Sequence, residues 1–113
     1  MKPEDKTKYV KFLNEHKKLV GLSDWKLTIT KDEDISDLAN VDVDIYEKEL
    51  SLTLSADFHK LSATRKKNVL LHELVHGRIE IFNKKREILI EELEEELAND
   101  ITRGFERHNN LVW

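Results

Sequence analysis

His72 and His76 stand four residues apart, with Glu73 directly after the first and the apolar Leu74 and Val75 between them. On a helix that spacing is a rise of about 6 Å on nearly one face, so two imidazoles can converge on one ion. Imidazole suits zinc in a tetrahedral site, and the chain has no cysteine, so any metal must be held by His, Asp or Glu. Glu73 is offset around the helix. It is placed to take a proton from a metal-bound water rather than to ligate. The bland alternative is a histidine pair hydrogen-bonded within a core. It leaves the adjacent glutamate and the apolar flanks unexplained.

Two histidines leave a catalytic zinc one protein ligand short. Glu80 continues the row, but a straight helix carries it about 12 Å from His72, beyond a single coordination shell. The metzincin arrangement needs Gly and His three and six residues past the second histidine. Ile79 and Phe82 occupy those positions, which excludes it. The acidic run further on offers Glu91, Glu92, Glu94, Glu95 and Glu96. Leu93, Leu97, Ile101 and Phe105 mark an apolar stripe there. By rotation Glu94 lies nearest that stripe and Glu91 and Glu95 lie on its far flank, so helical geometry does not choose among them. Most of the run reads as a solvated helix face.

The elements that must position these residues follow from periodicity. Residues 5 to about 20 place Tyr9, Phe12, Leu13, His16, Leu19 and Val20 at helical spacing, and Gly21 stops the helix. Trp25 to Thr30, Val41 to Ile45 and Leu50 to Leu54 alternate apolar and polar side chains and read as strands. Tyr46-Glu47-Lys48-Glu49 makes a hairpin turn without the Asn-Gly or Asp-Gly signal. Ser62 is an N-cap for a helix running to about Phe82, whose apolar residues predict burial nearly all round. Asn83-Lys84-Lys85-Arg86 breaks the apolar pattern, and a last helix is expected from about Glu87 to Phe105 or beyond. The order implies a small α+β layer structure in one domain spanning 1–113.

Composition narrows the functional classes. The 113 residues carry a formal net charge of -4, and no basic stripe or helix-turn-helix is visible, so nucleic-acid binding is not expected. The short clusters Arg65-Lys66-Lys67 and Lys84-Lys85-Arg86 read as surface charge. Asp32, Asp34, Asp37, Asp42 and Asp44 lack the glycine of a calcium loop and read as solvated surface. No apolar run spans a bilayer and no secretory signal is visible, so a cytoplasmic location without membrane is expected.

"LLHELVH" followed by a helix bearing "ELEEELANDI" resembles the gluzincin group of zinc peptidases, whose third ligand is a glutamate on a later helix. Glu95 to Ile101 is similar to the E-x-x-A-N-x-apolar pattern of the ImmA/IrrE-type peptidases, and the layout resembles compact metallopeptidase-like proteins of phages and prophages. Arg78 departs from the pattern, since zincin helices usually carry an apolar residue there. The resemblance implies a minimal zincin-like domain with Zn2+ held by His72, His76 and Glu95. It implies Asn99 as a neighbour of that ligand, Glu73 as general base and a peptide or protein as substrate. An extended substrate would pair with a sheet edge, for which Leu50 to Ser55 is the expected strand. Tyr46, His59 and His108 are unranked candidates for an oxyanion donor. Two other readings stand beside hydrolysis: a zinc-stabilised interaction module without turnover, and a regulatory domain acting on a transcription factor.

Overall fold

A computed structural model describes residues 1–30 and 37–109, with the side chains of 105, 106, 108 and 109 excepted. Asp32 and Asp34 lie outside the described residues, as does the side chain of His108. Helix α1 spans Pro3–His16, opened by Pro3 in its first turn, where no amide donor is needed. A 3₁₀ turn, Lys17–Val20, follows and ends at Gly21, whose φ of 75° is the left-handed cap that glycine accepts without strain. Three strands come next: β1 Lys26–Ile29, β2 Ala39–Asp44 and β3 Glu49–Leu54. A 3₁₀ segment, Ala56–Lys60, leads into helix α2, Ala63–Asn109.

The sheet order is β1-β3-β2, with β3 parallel to β1 and antiparallel to β2. Leu50 therefore pairs with Leu27 on one side and Val43 on the other. The expectation that Leu50 to Ser55 forms a sheet edge is corrected: β3 is the central strand, and both its backbone flanks are taken. Among the described residues the edge strands are β1 and β2. Leu50, Leu52 and Leu54 are fully buried. On the opposite face Thr28 bonds Ser51 at 3.2 Å and Thr30 bonds Thr53 at 2.9 Å, a hydroxyl ladder across the parallel pair.

The β2–β3 hairpin turns where expected, by a different device. Asp44 Oδ1 accepts from the amides of Tyr46 and Glu47, both at 3.1 Å, and Lys48 takes a left-handed φ of 51°. The aspartate supplies locally what Asn-Gly supplies elsewhere.

Ser62 caps α2 as expected, its Oγ accepting from the Arg65 amide at 3.3 Å. The expected break at Asn83–Arg86 is not there: α2 is one helix of 47 residues. Asn, Lys and Arg interrupt an apolar pattern without interrupting the backbone ladder, and between Gly77 and Gly104 the sequence has neither Gly nor Pro. The expected separate glutamate-bearing helix is thus the continuation of the histidine helix.

Two compact units can be told apart, residues 1–82 and 83–113. The first holds the core: Tyr9 and Leu13 of α1, the inward residues of the sheet, Phe58, and Leu70, Leu74 and Ile81 of α2. Within this unit α2 is buried along a single stripe, with Leu70, Glu73, Leu74, Gly77 and Ile81 covered and Val75, Ile79 and Phe82 exposed. The expectation of burial all round is therefore corrected, because a three-stranded sheet and one short helix cover only one side. In the second unit Leu89, Ile90, Leu93, Leu97 and Ile101 are exposed. No helix among the described residues is long and apolar enough to cross a membrane.

Candidate functional site

His72 and His76 project from the exposed side of α2, one turn apart. Their Nε2 atoms lie 2.8 Å from one another, with ring centroids at 4.4 Å and ring planes at 81°. Without a metal, one Nε2–H donates to the other Nε2. Two nitrogens at the usual zinc distances in a tetrahedral site stand about 3.3 Å apart, so a small opening of the pair would admit the ion. The helical i, i+4 relation alone brings these two donors together.

Glu73 sits between the histidine row and the buried stripe and is only 8% exposed. Burial holds its carboxyl above the usual carboxylate range. His76 and then His72 pull it back, while the Asp37 carboxylate pushes it further up. Asp37 precedes β2 and is itself exposed. By sequence it reads as one of the solvated aspartates, and no local signal ties it to a helix residue 36 positions on.

At Gly77, directly after His76, α2 lies close against the sheet. A Cβ built there would meet Leu50 Cδ2 at 3.1 Å, Leu50 Cδ1 at 3.3 Å and Val41 Cγ2 at 3.6 Å. Since Val41 belongs to β2, the helix turn bearing His76 passes close to an edge strand of the sheet. Beside His72 a shallow recess of about 250 Å³ is lined by Arg65, Asn68, Val69 and His72 itself.

The other expected residues are placed as follows. Glu80 is exposed on α2 beyond the pair. Tyr46 is 86% exposed at the hairpin tip. The His59 ring lies 5.5 Å from that of Phe58 and 6.2 Å from that of Tyr9. Glu91, Glu92, Glu94, Glu95, Glu96 and Asn99 are exposed residues of the second unit. Among the described residues no group of three or more His, Asp or Glu side chains is gathered so as to hold a metal ion. The donor chemistry present is thus two convergent imidazoles with a carboxylate beside them.

Comparison with protein-family models, with curated proteins and with solved structures finds no match for this chain.

Proposed function

We propose that the protein is a zinc-dependent hydrolase of peptide bonds. The observation that carries this reading is the convergence of the His72 and His76 Nε2 atoms at 2.8 Å, with Glu73 buried beside them. His72 and His76 supply two of the protein ligands. The sequence resemblance offers Glu95 as the third, with Glu91 and Glu94 as the other registers; along one unbroken helix all three lie about four turns or more past His76, so the carboxylate would come from another copy of the chain. Zinc, when bound there, polarises a carbonyl and brings the pKa of its water towards about 7.

The chain's own groups do the rest. Glu73 accepts the proton of the attacking water at its carboxylate and returns it to the leaving amine. Its low exposure keeps bulk water from competing for that proton. An extended substrate would pair with the open backbone of β2, the edge strand whose Val41 lies against Gly77. This replaces the central strand β3 in that role.

The test is Glu73→Gln, which preserves shape and removes the base. It should retain zinc and lose peptide hydrolysis by about 100-fold or more. A variant that hydrolyses as fast as the parent sinks the mechanism. A parent protein that holds zinc but cleaves no peptide library favours the rival reading, a zinc-stabilised interaction module. Glu91→Gln, Glu94→Gln and Glu95→Gln then settle the ligand register by which of them loses metal.

A further inference from the structure

On the core side of α2, away from the histidine pair, a groove of about 370 Å³ opens between α1 and the first turns of α2. Its floor is apolar: Tyr9, Phe12 and Leu70. Its rim is basic on both walls, Lys8 and Lys11 from α1 and Lys66 and Lys67 from α2. Lys66 Nζ stands 5.8 Å over the Tyr9 ring. Glu15 is the one acid on the lining, 4.0 Å from Lys11. An apolar trough between two lysine walls calls for an amphipathic segment with acidic flanks.

This chain carries such a segment. Residues 87–101 contain seven acidic residues and no basic one. Within them Leu93 is 55% exposed, Leu97 60% and Ile101 52%, with Ile90 at 46%. At about 100° per residue these four fall within a stripe about 80° wide, on one face of the helix. Glu94 flanks the stripe on one side and Glu96 on the other. Exposed apolar residues in a row of this length mark an interaction surface.

We propose that the groove between α1 and α2 receives residues 87–101 of a second copy of this chain, laid in as an amphipathic helix. The leucine and isoleucine stripe enters the trough, and glutamates on both flanks face the lysines of the two walls. Each chain then offers a groove and an acidic segment, so two chains can exchange their segments. Neither surface includes His72, Glu73 or His76, but the segment contains the candidate ligands Glu91, Glu94 and Glu95; the groove reversal Lys11→Glu/Lys67→Glu touches none of these, so its effect on association tests the docking apart from the metal reading.

Sedimentation velocity at low ionic strength tests it. The protein should run as a dimer that salt weakens, because the rim pairs are exposed. Lys11→Glu/Lys67→Glu should weaken self-association by about tenfold or more, as should Glu94→Lys/Glu96→Lys. A mixture of the two reversed proteins should recover a heterodimer, in which one groove and one arm are again complementary. The absence of native cysteine permits a second readout. Lys67→Cys mixed with Leu97→Cys should give an interchain disulfide. A monomer at all concentrations tested overturns the proposal. So does a dimer indifferent to both reversals, which would indicate pairing of the apolar stripes. A chain carrying both cysteines that cross-links only to itself does the same.

Discussion

Gly77 sets how closely the histidine-bearing turn of α2 can approach the sheet, and replacing it with alanine gives a result whose size can be worked out. In a helix interior, Gly→Ala gains about 0.8–1.0 kcal/mol of intrinsic propensity. At Gly77 the new methyl would stand 3.1 and 3.3 Å from the two Leu50 methyls, inside the optimal separation of about 3.5–4.0 Å. Leu50 is fully buried on the central strand between Leu27 and Val43, so it cannot retreat without disturbing neighbours. Overpacking of this kind costs about 1–3 kcal/mol. The clash outweighs the propensity, and Gly77→Ala should lose about 1 kcal/mol net. Gly104 is the control, because a Cβ there meets nothing within 4 Å. Gly104→Ala should be neutral or stabilising by up to about 1 kcal/mol. Urea unfolding of both, and of a cycle with Leu50→Ala, is the assay. Leu50→Ala alone costs about 2–5 kcal/mol, and in the Gly77→Ala background the new methyl should recover about 1 kcal/mol of that. If Gly77→Ala stabilises as much as Gly104→Ala, and the double mutant is additive, the close approach of α2 to β3 is wrong.

Further outcomes follow from single interactions. Lys48→Gly should stabilise the hairpin by about 0.5–1 kcal/mol, since φ of 51° strains any residue with a Cβ; an unchanged urea midpoint would contradict that conformation. Ser55→Ala should cost about 1–2 kcal/mol, because its buried Oγ donates to Leu38 O at 3.0 Å and accepts from the Phe58 amide at 3.3 Å; a loss within about 0.3 kcal/mol would refute both bonds. Glu73 has a raised pKa in the folded chain, so its contribution to stability is full below the unfolded pKa and is lost as pH rises through the folded one. With chelator present, Glu73→Gln should therefore gain on the parent between pH 4 and pH 7 in urea titrations, and a pH-independent difference would refute the burial.

Local features of the fold were legible in sequence because local physics makes them. The spacing from Tyr9 to Val20, the alternation in each strand and Ser62 before α2 all reappear. The convergence of His72 and His76 is equally local, one helical turn. What escaped is non-local or permissive. Nothing in residues 26–29 announces a parallel pairing with residues 49–52. The polar cluster at 83–86 stops an apolar pattern but contains nothing that stops a helix. Apolar residues all round α2 promised burial that three strands and α1 cannot provide. Asp37 acts on Glu73 across a chain separation that no pattern encodes. A third metal ligand would belong to this non-local class, which is why only a resemblance offers Glu95.

Zinc binding is the claim on which the functional account stands. Titration of the chelator-treated protein with zinc, followed by metal analysis after exchange into metal-free buffer, should give about one zinc per chain. His72→Ala and His76→Ala should each fold and retain none. A folded parent protein that takes up no zinc, or holds it equally well without both histidines, contradicts the account.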